Sequence, residues 1–314
     1  MKIGIIGFGS IGQRHYNNLQ THQLDVVVLS SRADVEISHQ VKDWKSFVTA
    51  GPYDTIFITN ETAKHLETIK KCIALKPKAL FIEKPLSHST KGVEVLVRQL
   101  KQKKISAWVG YNLQFFAPLV KVKELLQEKK IGAVYYMRVA VGQDLRGWRK
   151  RDYREGYSAQ KKLGGGVVAD LVHDLNYPAW LLDEPLKPVA AFVKKLSPLK
   201  IDVEDYAESV FVSKKRNVGV SVHQDYLRIP GKRSLEVVGE TGTIIWDSIS
   251  NVVALESPTG FVWSETLNED RNIMYQKEIA FFLDKVKGGK WFSNLEEAIT
   301  DLKNIEFIKK YAKK

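Results

Sequence analysis

The sequence has little cysteine and no long apolar run. Its 314 residues include one cysteine, Cys72, so no disulfide can form within the chain and disulfide-held secreted scaffolds are excluded. Cys72 shares an apolar pattern with Ile69 and Ile73, which predicts a core position and not a nucleophile. No apolar run approaches membrane-spanning length, and no signal-peptide pattern follows Met1. These absences predict a cytoplasmic protein with no membrane partner.

Acidic residues are fewer than basic ones. Asp and Glu number 36 against 48 Lys and Arg, which gives a formal net charge of +12. The basic residues lie in small scattered groups, whereas nucleic-acid-binding proteins concentrate them on one helix or stripe. The charge therefore favours small anionic cofactors or substrates over nucleic acid. Histidines at metal-ligand spacing are also lacking, so no metal site is predicted, and no Gly-x-Ser-x-Gly elbow of an α/β-hydrolase is present.

A glycine-rich turn opens the chain between a strand and a helix. The apolar segment at residues 2–6 precedes it, and a helical pattern extends through Leu19. In this context the first glycine permits a tight turn, the second lets the backbone approach a pyrophosphate, and the third lets the helix pack on its strand. The helix N-terminus then offers free N–H groups to the anion. The residues predicted to bind the dinucleotide here are Gly7, Phe8, Gly9, Ser10, Ile11 and Gly12.

The end of the second strand bears on the choice of cofactor. An acidic residue there would bind the adenosine ribose hydroxyls of NAD. This chain has Ser30, Ser31 and Arg32 instead, and a guanidinium grips phosphate through paired donors. The pattern favours NADP, with NAD left open because Asp34 lies nearby.

Strand and helix patterns alternate through about residue 118, which predicts an α/β Rossmann domain with a doubly wound parallel sheet. One strand, at residues 79–82, ends in Glu83, Lys84 and Pro85. Pro85 cannot donate to a ladder, so the strand must stop there. Ligands bind at this edge of an open parallel sheet, and a lysine there can exchange protons with a substrate. The alternative interpretation is a surface Lys–Glu pair.

From Val134 onward the strands alternate in period two, as in a half-exposed antiparallel sheet. The change divides the chain into a dinucleotide-binding domain, 1–118, and an α+β domain, 119–314, with a large, mostly antiparallel open sheet. Two helices end the chain, and their packing back onto the first domain is left open. The half-exposed sheet could pack against a copy of itself, so a homodimer or homotetramer is expected.

A second glycine-rich segment lies at residues 164–166 and is followed by Asp170 and His173. The glycines are expected to let the backbone pass close to substrate or nicotinamide. A helix predicted to begin near Asp170 would place Asp170, His173 and Asn176 on one side. The alternative is an acidic residue stabilising a helix N-terminus beside a core histidine.

With these segments in hand, the chain resembles the Gfo/Idh/MocA oxidoreductase family over nearly its full length. Thr59, Asn60 and His65 are similar to that family's Thr-Pro-Asn…His element without its proline. The segment at 110–115 resembles its Gly-Tyr-Asn-Leu-Arg-Phe strand end, with Gln114 in place of Arg. The family usually places its histidine four residues after the aspartate, so Asp174 is the fallback for His173. Residues 142–159 resemble a branch tied to nucleotide-sugar or surface-glycan pathways.

The resemblance implies hydride transfer between nicotinamide and an alcohol-bearing carbon of a sugar or cyclitol. It implies His173 as general base, Lys84 as the donor that polarises the substrate oxygen, and Asp170 as the residue that orients them. The implied cofactor contacts beyond the turn and the second strand are Thr59, Asn60, His65, Glu83 and Lys84. The implied substrate contacts are Asn112, Arg151, Tyr153 and Asn176. The alternative hypotheses are a non-catalytic NADP(H)-binding regulator of the same fold, NAD-assisted glycoside cleavage and imine reduction.

Overall fold

The computed structural model describes residues 1–35, 37–148 and 152–311. The chain forms two compact units. The first comprises residues 1–111 and 272–302, and the second comprises residues 112–271 together with those from 303 onward. The first unit therefore includes a helix, α8 (Ile273–Lys287), from the C-terminal part of the chain.

The first unit is built on a six-stranded sheet with the order β3-β2-β1-β4-β5-β6. Every neighbouring pair is parallel, which confirms the predicted doubly wound Rossmann sheet. Its elements are β1 (Lys2–Ile6), α1 (Ser10–Gln20), β2 (Asp25–Leu29), β3 (Gln40–Val41), α2 (Trp44–Thr49), β4 (Thr55–Ile58), α3 (His65–Ala74), β5 (Ala79–Ile82), α4 (Val93–Gln102) and β6 (Ser106–Val109).

The register of this sheet brings the strand ends to one edge. Ile6 pairs with Ile58, Ile58 with Ile82, and Ile82 with Val109. The strands β4 and β5 are buried along their whole length, as expected for strands covered by helices on both faces. Because the carboxyl ends coincide, the residues that follow them lie together where Rossmann ligands bind.

The second unit contains an eight-stranded sheet with the order β14-β13-β12-β11-β7-β10-β9-β8. The pair β7–β10 is parallel, and the other neighbouring pairs are antiparallel, which confirms the predicted mostly antiparallel sheet. Its strands are β7 (Val134–Gly142), β8 (Leu186–Lys194), β9 (Tyr206–Ser213), β10 (Gly219–Asp225), β11 (Lys232–Gly239), β12 (Thr243–Asp247), β13 (Val252–Ser257) and β14 (Gly260–Thr266).

Helices cover one face of this sheet and short helical turns follow β7. In β9 the buried positions alternate with more exposed ones, the period-two pattern of a sheet with one covered face. The α-helices here are α5 (Ala117–Gln127), the four-residue α6 (Val167–Asp170), α7 (His173–Leu182) and α9 (Leu295–Lys310). The first half of α9 belongs to the first unit. Among the described residues, none of the helices combines the length and apolar character needed to cross a membrane.

Candidate active site

The glycine-rich turn of the first unit has the geometry that a dinucleotide requires. Gly7 has φ +97°, and a Cβ there would lie 2.7 Å from the backbone nitrogen of Asn60. A Cβ on Gly12 would lie 2.4 Å from the carbonyl oxygen of Gly7. A Cβ on Gly9 would meet no described atom within 4 Å. The turn is therefore closed on its protein side and open above Gly9, at the N-terminus of α1, where a pyrophosphate fits.

Thr59 holds this turn in place. Its hydroxyl donates to the carbonyl oxygen of Gly7 at 2.7 Å, and the residue is buried. The neighbouring Asn60 donates from its side chain to the hydroxyl of Thr68 at 2.8 Å. Both residues follow β4, so they fix the shape of the cofactor-facing edge through contacts within the protein.

His65 bridges the segments that follow β4 and β5. Its Nδ1 lies 3.0 Å from the carbonyl oxygen of Pro85, and its Nε2 lies 3.0 Å from that of Asn60. Burial lowers the pKa of this imidazole, and a neutral ring can donate to only one of the two carbonyls. Through these contacts His65 links the two segments at the carboxyl edge of the sheet. A direct contact of His65 with the cofactor stays a prediction.

Glu83 and Lys84 follow β5 at the same edge. One carboxylate oxygen of Glu83 lies 2.6 Å from His15 Nε2 on α1, and the other accepts the backbone N–H of Lys84 at 3.3 Å. Glu83 is buried, whereas Lys84 is half-buried. The strand stops before Pro85, as predicted. Sequence reasoning missed His15, whose position three residues after Gly12 on α1 was its only signal.

The end of β2 places a guanidinium beside a carboxylate. Arg32 Nε and Nη2 donate to Asp34 at 2.9 and 2.5 Å, and Nη1 donates to the carbonyl oxygen of Phe8 at 3.0 Å. The hydrogen bonds from Arg32 lower the pKa of the Asp34 carboxyl. Ser30 is buried and its hydroxyl accepts the N–H of Arg32, while Ser31 is exposed. Arg32 is thus tied to the glycine-rich turn, and the acidic group that suits NAD stands next to it.

In the second unit, other parts of the chain lie close against Gly165 and Gly166. A Cβ on Gly165 would lie 2.1 Å from the carbonyl oxygen of Tyr157, and one on Gly166, where φ is +108°, would lie 2.2 Å from Glu204 Oε1. Protein atoms thus explain the need for glycine at these two positions, and a close approach of substrate or nicotinamide stays a prediction. Lys309 secures the segment, because its Nζ donates to the carbonyl oxygen of Gly165 at 2.9 Å and lies 3.3 Å from Glu204 Oε1.

Asp170 is held by two tyrosines. The hydroxyl of Tyr157 donates to one carboxylate oxygen, and the hydroxyl of Tyr226 donates to the other at 3.0 Å. Burial, with Asp170 beside it, raises the pKa of Tyr226 well above its usual value. Sequence reasoning missed both tyrosines as partners of Asp170. Tyr226 lies just beyond β10 and carries no motif.

The helix predicted to begin near Asp170 is two helices. It begins earlier, at Val167, and α6 ends at Asp170, while α7 begins at His173. Leu171 between them has φ −94° and ψ 32°, and its carbonyl oxygen accepts the side-chain amide of Gln224 at 2.8 Å. A hydrogen bond from a distant strand thus accompanies the break. Asp170 and His173 therefore do not share one helical face, which corrects the argument from their spacing.

The three polar residues that open α7 have different surroundings. His173 is half-buried. Asp174 is fully buried and accepts Arg233 Nε at 2.7 Å and Nη2 at 3.1 Å. Asn176 is buried and its side-chain oxygen accepts the amide of Gln114 at 3.0 Å. The ion pair gives Asp174 a structural partner. Gln114, the neighbour of Asn176, occupies the position of the arginine in the family's strand-end segment, and that position could have indicated it.

The remaining predicted substrate contacts also differ in their surroundings. Asn112 is buried. The hydroxyl of Tyr153 accepts the backbone N–H of Lys200 at 3.2 Å. Arg151 lies outside the described residues. Within those residues, no group of three or more His, Cys, Asp or Glu side chains could hold a metal ion.

Two family models match the chain. The model described as "Oxidoreductase family, NAD-binding Rossmann fold" matches residues 1–111. The model described as "GFO/IDH/MocA C-terminal domain" matches residues 119–245.

Among the relatives of this chain, myo-inositol 2-dehydrogenase of Thermotoga maritima is 26% identical over 98% of this chain and 88% of its own length. Inositol 2-dehydrogenase of Klebsiella pneumoniae is 27% identical over 92% of this chain and 87% of its own. An Agrobacterium radiobacter oxidoreductase, solved with NAD+, L-tartaric acid and magnesium, has the same fold at TM-score 0.84 and 18% identity, over 100% of this chain and 96% of that one. This chain is an oxidoreductase that belongs to the Gfo/Idh/MocA family.

Proposed function

We propose that this oxidoreductase transfers hydride between a nicotinamide cofactor and a carbon that bears a secondary hydroxyl on a sugar, sugar derivative, nucleotide sugar or cyclitol. The observation that carries the proposal is the position of Lys84, which follows the carboxyl end of β5 with its backbone N–H held by Glu83, in the sheet that also bears the open turn above Gly9. The inositol dehydrogenases among the relatives support a polyhydroxylated substrate.

Three residues have proposed roles in the reaction. The nicotinamide, when bound, supplies the hydride acceptor. His173 takes the proton of the reacting hydroxyl, since imidazole is the side chain that titrates near neutral pH. Lys84 donates a hydrogen bond to the same oxygen and stabilises negative charge that develops there. Asp170, held by two tyrosine hydroxyls, supplies a fixed negative charge. Asp174 is a weaker candidate for the base because its carboxylate is paired with Arg233.

A substrate panel tests the proposal. The purified chain is incubated with inositols, sugars, sugar acids and nucleotide sugars, each with NAD+ and with NADP+, and reduction is read by nicotinamide absorbance. We expect turnover with at least one polyhydroxylated compound. The nucleotide-sugar arm tests the resemblance of residues 142–159 to surface-glycan enzymes. Cofactor binding without turnover on any compound would instead support the non-catalytic regulator.

The cofactor preference is a separate part of the proposal. We expect Arg32 to bind the adenosine 2′-phosphate of NADP by exchanging its contacts with Asp34 for phosphate, since guanidinium binds both in a bidentate way. Arg32→Ala should then lower the affinity for NADPH by about tenfold or more, the value of one charge-assisted contact. The affinity for NADH should stay nearly unchanged. Equal effects on both cofactors, or tighter NADH binding to the unaltered chain, would assign Asp34 to the ribose of NAD.

The proposed quaternary structure is based on the second sheet. Its uncovered face bears large exposed side chains, including Phe192 at 51% and Val210 at 45% exposure. We expect a second copy of the chain to cover this face in a homodimer or homotetramer. Phe192→Lys should dissociate the assembly in sedimentation velocity, and a monomeric unaltered chain would refute the proposed assembly.

We also propose a cytoplasmic location, supported by the buried thiol of Cys72.

A further inference from the structure

A cluster of three titratable side chains lies buried behind Lys84 within the first unit. It consists of His15 on α1, Glu83 after β5 and Glu278 on α8, with 0%, 9% and 1% exposure. Neither His15 nor Glu278 belongs to the residues assigned above to cofactor or substrate. Buried carboxylates are costly unless they are paired or protonated, so the partners and the protonation of Glu83 and Glu278 decide what this cluster contributes.

The surroundings of His15 fix its tautomer. The ring centroids of Phe57, Phe81 and Tyr275 lie 5.6, 5.0 and 6.3 Å from that of His15. Within the described residues its Nδ1 has no hydrogen-bond partner, while Nε2 lies 2.6 Å from Glu83. A protonated ring would bury an unsatisfied N–H among aromatic rings, which is unfavourable. The geometry is that of a neutral imidazole whose Nε2–H donates to Glu83.

Glu278 lies close enough to Glu83 to sense its charge. Trp108 Nε1 donates to Glu278 Oε1 at 3.3 Å. Burial, together with the nearby Glu83, raises the pKa of Glu278 well above its usual value. Other titratable groups near the cluster include His65, on which the charge of Glu83 acts, and Tyr275 beside His15. The guanidinium carbon of Arg14 lies 4.5 Å from the ring centroid of Tyr275. Two carboxylates in one buried site disfavour each other's ionisation, so the raised pKa favours a protonated Glu278.

We propose that His15 and Glu278 are positioning residues for Lys84. His15 holds one oxygen of Glu83, a protonated Glu278 places no second charge beside it, and the other oxygen of Glu83 accepts the Lys84 backbone N–H. The same carboxylate joins α1, which carries the glycine-rich turn, to the end of β5, which carries the amine. Weakening the cluster should therefore loosen the amine more than it weakens cofactor binding. This inference rests on the proposed role of Lys84 in turnover.

Variants of His15 test the positioning role. His15→Phe keeps a ring in the aromatic site but removes the donor, and His15→Gln restores an N–H donor. We expect His15→Phe to lower kcat about 10- to 100-fold, the value of a buried bond to a charged group, with NADH affinity changed less than about threefold. His15→Gln should recover part of kcat. The control Phe57→Leu loosens the same packing without touching Glu83 and should lower stability but keep kcat.

Equal kcat losses in His15→Phe and Phe57→Leu, or no recovery in His15→Gln, would overturn the positioning role. A fall in NADH affinity as steep as that in kcat would do the same. The failure of the proposed function looks different, because the unaltered chain would then turn over no compound of the panel, and a failed role of Lys84 would leave turnover in Lys84→Ala.

The protonation of Glu278 has a readout that needs no substrate. At neutral pH, infrared spectroscopy should show the carbonyl band of a protonated carboxylic acid, lost in Glu278→Gln. Glu204→Gln, which removes a carboxylate paired with Lys309, should keep the band. Absence of the band in the unaltered chain, or its persistence in Glu278→Gln, would refute the proton assignment.

Discussion

The two units of this protein keep buried carboxylates in different ways. In the first, the described neighbours of Glu278 include the indole N–H of Trp108 and the carboxylate of Glu83, and burial together with Glu83 raises the pKa of Glu278. In the second, Asp174 has a bidentate partner in Arg233, and Asp170 accepts two tyrosine hydroxyls.

The difference lies in which group compensates the lost hydration. A proton neutralises Glu278, so its contribution to stability depends on pH. A guanidinium neutralises Asp174, so removing either partner leaves an uncompensated buried charge. Substitutions can therefore separate the two arrangements, by size of effect and by dependence on pH.

The largest effect should come from Asp174→Ala. This change leaves Arg233 partly buried without its carboxylate, and breaking a buried pair typically costs ~3–5 kcal/mol. The free energy of unfolding, measured in urea, should fall by that amount. The control is Glu124→Ala, which removes an exposed carboxylate on α5 that is paired with Lys121 and should cost less than about 1 kcal/mol. Similar losses in both variants would show that the Arg233 pair behaves as a surface contact.

Glu278→Gln should stabilise the protein in a pH-dependent manner. The folded-state pKa of Glu278 is raised, so above the usual value the unfolded chain ionises while the folded chain stays protonated, and stability falls as pH rises. Glutamine removes this penalty. The gain in unfolding free energy should be near zero below about pH 4.5 and grow by about 1.4 kcal/mol per pH unit above it. A gain that does not change with pH would mean that Glu278 does not hold a proton.

His223 on the second sheet should show the smallest effect and the opposite sign. Hydrogen bonds to Asp225 and Glu208 raise the pKa of this half-buried imidazole. Its stabilisation is present below the unfolded value and is lost as pH rises through the folded value. His223→Gln should therefore lower stability at pH 6 by less than about 1 kcal/mol, because partial exposure screens the pair. The difference from the unaltered chain should vanish at alkaline pH in thermal unfolding, and a constant difference would contradict it.

The first unit was the easier one to predict because its signals are local. The turn from Gly7 to Gly12 and the stop at Pro85 depend on backbone geometry that a short segment specifies by itself. The same reasoning could not find His15 or Glu278, because their partners lie 68 residues away for His15 and, for Glu278, 170 residues away at Trp108. A buried cluster assembled from distant helices leaves no pattern in one sequence.

In the second unit the strand period predicted the sheet, but the site was predicted less well. The glycines near Gly166 indicated a close approach, yet sequence could not show that Glu204 fills that space. Spacing put Asp170 and His173 on one helix, while a hydrogen bond from Gln224 accompanies a break between them. Tertiary contacts overrode local periodicity here, as they commonly do.

The role of Lys84 is tested most directly by comparing turnover and cofactor affinity in Lys84→Ala, with Lys78→Ala as the matched control. Lys78 precedes the same strand, and its exposed side chain pairs with Asp54. With the substrate found in the panel, Lys84→Ala should lower kcat at least about 100-fold and change NADH affinity by less than about threefold, while Lys78→Ala keeps both. Retained turnover in Lys84→Ala, or a loss of NADH affinity as large as the loss of kcat, would contradict the account.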